Sequence, residues 1–244
     1  MRMRKKKNGD KRLSLCSEFL LNTDNLPMDN PAEALGMAGA EVYLEIGAGK
    51  GGFACEMARR NPNAVYFAME RVSDCVVLAA EKALSMKEGG RDNLRFIIDT
   101  ADNLTRIFAE GVVDRIFLNF SDPWSKKGYA KRRLTHRRYL AVYFNLLRDG
   151  GKITFKTDNV GLFDFTLEEI SAMGITPDFV TRDLHSSERN EGNVMTEYEK
   201  NFSEQGMKIN MVEITKPIGY KPEIPENLSK DRRTYGKING DSRE

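Results

Sequence analysis

Residues 119–127 combine side chains that could recognise a nucleobase: a carboxylate, a rigid proline, an indole and two lysines. They follow residues 114–118, which have the composition of a buried strand. The segment is therefore expected at the carboxyl end of a strand in a sheet. Residues 131–137 then keep the charge positive. An acid and an aromatic ring beside a cationic surface suit a site that holds a base while its phosphates are bound nearby.

A second chemical feature is a glycine-rich turn after an earlier apolar run. The spacing Gly47-x-Gly49-x-x-Gly52 matches a dinucleotide-binding fingerprint, and Glu70 stands where a ribose-binding acid is expected. No Gly-Lys-Ser/Thr follows, which excludes a P-loop. Glu45, just before the glycines, would repel a pyrophosphate but attract a cationic ligand, which argues against a redox cofactor.

Strand and helix patterns alternate along the chain, which predicts an α/β fold with a largely parallel sheet. Predicted strands cover residues 41–46, 64–70, 93–98, 113–119, 152–156, 175–182 and 207–214. Predicted helices cover residues 51–60, 73–87, 103–108, 133–148, 162–173 and 197–204. Ligands of such folds bind beyond the carboxyl ends of the strands, which is where the chemically interesting residues cluster.

Length and composition predict one large soluble domain or two small ones, with 40% apolar and 30% charged residues among 244. Residues 1–30 are predicted to be a flexible basic tail, residues 31–216 the folded domain, and residues 217–244 a C-terminal tail. No apolar run approaches membrane-spanning length.

The three cysteines are scattered and have no metal-ligand spacing with the two histidines, so no zinc site is predicted. Their number fits a reducing, cytoplasmic compartment.

Four further strings are more specific than the glycine turn. They are Leu118-Asn119-Phe120-Ser121-Asp122-Pro123-Trp124, Lys131-Arg132-Arg133-Leu134, Phe155-Lys156-Thr157-Asp158-Asn159 and Gly192-Asn193-Val194-Met195-Thr196-Glu197-Tyr198-Glu199. Together they resemble the bacterial tRNA (guanine-N7)-methyltransferases, which make 7-methylguanosine in the variable loop of tRNA, at position 46. The resemblance covers residues 41–214 approximately.

The resemblance implies a Rossmann-like class I methyltransferase fold, with a mostly parallel seven-stranded sheet and helices on both faces. It also implies S-adenosylmethionine as the cofactor, tRNA as the partner, no metal, no membrane, a cytoplasmic location, and a monomer or homodimer.

The same resemblance implies the roles of individual residues. Cofactor-binding residues are Glu45, Gly47, Gly49, Glu70, Thr100, Ala101, Asn119 and Asp122, and Asp122 is also the catalytic residue. Substrate-binding residues are Lys126, Asp158, Thr196, Glu197, Tyr198 and Glu199. RNA-binding residues are Gly128, Tyr129, Ala130, Lys131, Arg132 and Arg133. Thr100 stands where family members place an acid, so the adenine contact is open between Thr100 and Asp99.

Chemistry limits what Asp122 can do, since guanine N7 carries a lone pair and no proton and needs no general base. The carboxylate could hold the guanine, or Asp122-Pro123 could only begin a turn. Asp158 could instead cap a helix, and Thr196-x-x-Glu199 fits a capping box. Trp124 could stack on a base or pack in the core.

Two other functions remain open at the level of sequence. A nicotinamide-dependent oxidoreductase is supported by the overlapping glycine pattern. A non-catalytic RNA-binding module is supported by the basic stretch.

Overall fold

The computed structural model describes residues 6–22, 26–87 and 89–228. Within them lies one seven-stranded sheet, in the order β3-β2-β1-β4-β5-β7-β6. Its strands are β1 (Glu41–Ile46), β2 (Ala64–Glu70), β3 (Leu94–Ile98), β4 (Val113–Asn119), β5 (Leu147–Thr157), β6 (Phe179–Thr181) and β7 (Asn210–Thr215). Only β7 runs antiparallel to its neighbours. The predicted Rossmann-like class I fold with a mostly parallel sheet is confirmed.

Helices cover both faces of the sheet. They are α1 (Gly9–Ser14), α2 (Gly52–Arg60), α3 (Ser73–Leu84), α4 (Leu104–Ile107), α5 (Arg137–Leu146), α6 (Val160–Ala172) and α7 (Glu197–Ser203). Side chains alternate along β1, so Val42 and Leu44 join one apolar cluster with α4, α5 and α6. Tyr43 joins the other cluster, with α2 and α3.

The boundary between α5 and β5 differs from the sequence prediction. The predicted helix over residues 133–148 is wrong at both ends, because α5 begins at Arg137 and β5 already starts at Leu147. His136 sets the start, since its Nδ1 accepts a hydrogen bond from Arg138 N at 3.1 Å. Leu147 pairs with Val113 of β4, so Gly150 and Gly151 lie inside β5.

Parts of both predicted tails pack on the domain. The Arg12 guanidinium forms a bidentate ion pair with the Glu81 carboxylate of α3, with both hydrogen bonds 2.7 Å long. Phe19 is buried. Near the other end, Tyr220 packs edge-on against Phe144, with ring centroids 5.2 Å apart. Although these segments are polar in composition, single large side chains such as Phe19 and Tyr220 pack them against the domain. The predicted tails also include residues 1–5, 23–25 and 229–244, which lie outside the described residues.

A substitution at Gly51 tests how closely the start of α2 packs against α3. Its φ is +71°, and a Cβ built there would lie 2.6 Å from Cβ of Ala79. We expect Gly51→Ala to lower the free energy of unfolding by about 2–4 kcal/mol, because it adds overpacking to an unfavourable backbone angle.

Gly111→Ala is the matched control, since φ is +68° there and nothing lies within 4 Å of the added carbon. Its cost should be about 1–2 kcal/mol. Both are measured by urea unfolding, and equal losses would show that α2 and α3 are not in close contact at this point.

Candidate active site

A cavity of about 810 Å³ opens at the carboxyl ends of β1, β2, β3 and β4. Strand order reverses between β1 and β4, which is where ligands bind in open α/β sheets. Nine predicted site residues line the cavity: Gly47, Glu70, Thr100, Ala101, Asp122, Gly128, Tyr129, Lys131 and Arg132. The structure thus brings together the glycine turn, the two following strand ends, the acid after β4 and part of the basic stretch.

The glycine turn is held by β2. Gly47 has φ +87° and Gly49 has φ +55°, conformations that favour glycine. The Gly47 amide donates to the carbonyl of Met69 at 2.8 Å. Glu70 accepts from the amides of Gly49 at 3.0 Å and Val72 at 2.9 Å, one on each carboxylate oxygen. Because a carboxylate has about four acceptor sites, Glu70 can still accept from a ligand in the cavity.

Glu45 is a buried acid behind this turn, only 2% exposed. Burial raises the pKa of Glu45 to about 7, against the lowering effect of a 3.0 Å hydrogen bond from Asn119 Nδ2. Glu45 Oε2, Asn119 Oδ1 and Ser121 Oγ are buried without a hydrogen-bond partner among the described residues. Unpaired buried oxygens near the carboxyl ends of β1 and β4 fit a ligand that brings several N–H donors, such as an ammonium group.

The loop after β4 is held in a strained conformation. Phe120 and Trp124 have φ of 51° and 42°, which bulky residues rarely adopt. Arg133 fixes the second bend, donating to the carbonyls of Pro123 at 2.9 Å and Trp124 at 3.2 Å. Strain of this kind persists where surrounding contacts impose it, often at functional sites.

Asp122 lies between these two bends and faces the cavity. Its side chain is 69% exposed, and its carboxylate lies 3.5 Å from the guanidinium of Arg71. Exposed ion pairs contribute little, so Arg71 leaves the Asp122 carboxylate available to a ligand.

The predicted substrate residue Glu199 is completely buried. One carboxylate oxygen accepts from Lys156 Nζ at 2.6 Å, and the other accepts from Asn193 Nδ2 at 2.7 Å and lies 2.9 Å from His185 Nε2. Lys156 also donates to the carbonyl of Val194 at 2.9 Å. These bonds join the end of β5 to the segment before α7, so Glu199 positions this segment and does not line the cavity.

Burial affects both charges of this pair. It lowers the pKa of the Lys156 amine, against the attraction of Glu199. For Glu199, burial raises the pKa, but attraction to Lys156 and hydrogen bonds with Lys156, His185 and Asn193 together outweigh it and leave the pKa below its usual value.

Helix capping accounts for only one of two other predicted positions. The hydroxyl of Thr196 accepts from the amide of Glu199 at 2.9 Å, so the first half of the predicted capping box is present. The cap of α6 is Asn159, whose Oδ1 accepts from the amide of Leu162 at 2.8 Å. Asp158 therefore is not the capping residue.

The other predicted residues lie outside the cavity lining. Glu197 forms an ion pair with Lys82, and the exposed ring of Tyr198 lies 5.6 Å from that of Phe120. Lys126 is exposed. Also outside the lining are Glu45, Gly49, Asn119, Ala130, Arg133, Asp158, Thr196 and Glu199.

The sequence did not indicate one polar group of the cavity lining. Asp102 Oδ1 accepts from Arg138 Nη2 at 2.7 Å and from the Tyr139 hydroxyl at 2.9 Å, and all three line the cavity. The contact spans two distant elements, so no local pattern indicated it. Asp99 accepts from the Thr100 amide at 2.7 Å, while the exposed Thr100 side chain remains at the cavity.

Among residues 6–22, 26–87 and 89–228, no cluster of three or more His, Cys, Asp or Glu side chains could hold a metal ion. In the same residues, no helix has the length and apolar character needed to cross a membrane.

Comparisons with known proteins agree with this geometry. Residues 39–212 match the family model Methyltransf_4, described as "Putative methyltransferase". A tRNA (guanine-N(7)-)-methyltransferase from Geobacillus sp. (strain WCH70) is 46% identical over 176 residues, which cover 72% of this chain and 78% of that protein.

Solved structures with a similar fold include an antibiotic-related methyltransferase, with TM-score 0.58 and 19% identity over 80% of this chain and 94% of that one. Another is the 16S rRNA methyltransferase KamB, with TM-score 0.58 and 13% identity over 81% of this chain and 99% of that one. At these identities they show the fold alone.

The buried pair Lys156–Glu199 yields a stability prediction. We expect Lys156→Met to cost about 3–5 kcal/mol of unfolding free energy, because it leaves the Glu199 carboxylate buried without its cation. Adding Glu199→Gln should recover part of this loss. Denaturant unfolding of the single and double variants measures the coupling.

An exposed ion pair is the matched control. Arg182 and Asp164 lie 2.6 Å apart with side chains 55% and 49% exposed, so Arg182→Met should cost no more than about 1 kcal/mol. Additive losses in the Lys156 and Glu199 double variant would contradict the described pairing.

The raised pKa of Glu45 yields a pH prediction. Its folded-state value of about 7 exceeds the ordinary 4.5, so the contribution to stability is present below pH 4.5 and is lost as pH rises through 7. Glu45→Gln cannot ionise, and it should be more stable than the natural protein by about 2–4 kcal/mol at pH 8, with a much smaller difference at pH 5. Urea unfolding at both pH values measures this, with the exposed Glu204→Gln as control. An unchanged difference between pH 5 and pH 8 would refute the buried-acid assignment.

Proposed function

Because the chain belongs to the tRNA (guanine-N7)-methyltransferase family, we propose that it transfers a methyl group from S-adenosylmethionine to N7 of a guanosine in tRNA. The observation that carries the proposal is the cavity that joins the glycine turn after β1 to Asp122 after β4. The finer proposal is that the guanosine is position 46, in the variable loop.

The residues around the turn fit the cofactor. When bound, S-adenosylmethionine supplies an electrophilic methyl group on a positively charged sulfur. The unpaired oxygens of Glu45 and Asn119 would accept from its ammonium group, directly or through water. Glu70 would accept from the ribose hydroxyls, and Thr100 with the Ala101 amide would contact the adenine.

Asp122 holds the guanine in this proposal. Guanine N7 has a free lone pair, so catalysis depends on placing it in line with the methyl carbon and sulfur. The Asp122 carboxylate would accept from N1–H and the exocyclic amine of the guanine. It would also offset the positive charge that moves onto the purine as the methyl group is transferred.

The basic stretch supports tRNA as the substrate. Lys126, Lys127, Lys131 and Arg132 are all exposed, and the last two also line the cavity. Cationic side chains beside a base-binding cavity would bind phosphates on either side of the guanosine. Arg133 differs from its neighbours, since its guanidinium holds the loop after β4.

The predicted substrate segment also has a role in the proposal. Lys156 and Glu199 fix the start of α7 beside the loop after β4, where Tyr198 packs against Phe120. Thr196, Glu197 and Tyr198 would thereby be presented to the tRNA, together with Asp158. Cytoplasmic location and a monomer or homodimer stay predictions.

The two alternative functions are less well supported. A buried acid behind the glycine turn disfavours the pyrophosphate of a nicotinamide cofactor. A binding module has no need of a deep cavity with a glycine turn on one wall and an acid on another.

Asp122→Ala tests the proposed function. We expect the rate of tritium transfer from labelled S-adenosylmethionine to unmodified tRNA to fall by about 100-fold or more, because charge stabilisation and base positioning are both lost. Binding of S-adenosylhomocysteine, measured by calorimetry, should change little.

Asp164→Ala is the matched control, because it also removes an exposed acid from an ion pair with arginine, but on α6. Its activity should equal that of the natural protein. No transfer to tRNA by the natural protein, or full activity of Asp122→Ala, would refute the proposed role.

A further inference from the structure

Trp124 is the only tryptophan of the chain, and it lines the cavity with a strained backbone conformation. Its φ of 42° is unfavourable for a bulky residue. The hydrogen bonds from Arg133 to the carbonyls of Pro123 and Trp124 hold this conformation. The backbone at Trp124 is therefore held in this conformation by its surroundings, as strained residues at functional sites often are.

Two side chains, Arg132 and Tyr129, contact this indole. The Arg132 guanidinium carbon lies 5.0 Å from the ring centroid of Trp124 and 4.7 Å from that of Tyr129. The two rings meet edge to face, with centroids 5.9 Å apart. All three side chains line the cavity, and Tyr129 is 42% exposed. The cation–π contacts brace the indole from the side of the basic stretch.

Core packing does not account for this arrangement. Neither Trp124 nor Tyr129 belongs to the apolar clusters found among the described residues. Asp122 lies two residues before Trp124 in the same loop and faces the same cavity. One loop therefore brings an aromatic side chain and a hydrogen-bond acceptor to the same cavity, and proteins bind purine bases by stacking on the ring and hydrogen bonding to its edge.

We propose that Trp124 is the surface on which the target guanine stacks, braced by Arg132 and Tyr129, while Asp122 binds the edge of the base. This inference rests on the proposed function and adds a substrate-contacting residue to it. During transfer the sulfur–methyl bond breaks, the N7 lone pair forms the new carbon–nitrogen bond, and the sulfur keeps its bonding electrons. The positive charge thus passes to the purine, and an indole face stabilises a cationic ring.

The chain's single tryptophan makes the stacking directly measurable. Intrinsic tryptophan fluorescence reports on Trp124 alone, so no labelling is required. The natural protein, saturated with S-adenosylhomocysteine, is titrated with two unmodified tRNA transcripts. One carries guanosine at the nucleotide that the protein methylates, and the other carries an abasic residue there. We expect quenching at saturation to be at least twofold greater with guanosine. Equal quenching by both transcripts would overturn the proposal.

Two substitutions separate stacking from support of the loop. Trp124→Leu should lose roughly 5- to 150-fold in kcat/KM for tRNA, since an aliphatic side chain offers no π face. Trp124→Phe keeps a π face and should recover activity to within about threefold of the natural protein. Circular dichroism and the affinity for S-adenosylhomocysteine should be unchanged in both, which shows that the variants are folded and bind the cofactor.

The outcomes distinguish this inference from the proposed function. Equal activity of the Leu and Phe variants would mean that Trp124 only supports the loop, and it would overturn the stacking role. Natural protein that transfers no methyl group to any tRNA would instead refute the proposed function. An active natural protein with a fully active Trp124→Leu variant would remove the stacking role alone.

Discussion

The pairing of β1 with β4 is the constraint on which the site depends. Glu45 aligns with Phe117 in this parallel pair, so both strands end at the same edge of the sheet. The connection after β1 leads to β2 on one side of the pair, and the connection after β4 leads to β5 on the other side, because strand order reverses between β1 and β4. The glycine turn and the Asp122 loop therefore diverge and leave a cavity between them. A slip in the register of this pair would separate the two halves of the site.

Buried charge and backbone strain lie at this edge, where they cost stability. Glu45 is an acid held at the sheet edge with one oxygen unpaired, and Phe120 and Trp124 hold left-handed backbone angles. Burying an unpaired polar atom and straining a bulky residue each cost free energy. A ligand that supplies donors to Glu45, and a base that stacks beside Asp122, would recover part of this cost on binding. The same features thus connect the stability of the chain to its proposed activity.

The sequence predicted the alternating fold and nine of the residues that line the cavity, because strand periodicity and chain order determine which strand ends meet. It could not distinguish Arg133 from Arg132, because the sequence does not show that the Arg133 guanidinium donates to the carbonyls of Pro123 and Trp124 while Arg132 lines the cavity. Nor did it show that Glu199 turns inward, because its partner Lys156 lies 43 positions away in the chain. The early start of β5 depends on pairing with β4, which local propensity does not record.

In the proposed function, the cavity between the β1 turn and the β4 loop binds a sulfonium nucleoside cofactor. Calorimetric titration of the natural protein with S-adenosylhomocysteine and, separately, with NAD measures which cofactor class the cavity accepts. Saturable binding of one S-adenosylhomocysteine per chain, with no saturable heat from NAD, is the expected result. Saturable binding of NAD, with none of S-adenosylhomocysteine, would rule out a sulfonium cofactor in this cavity.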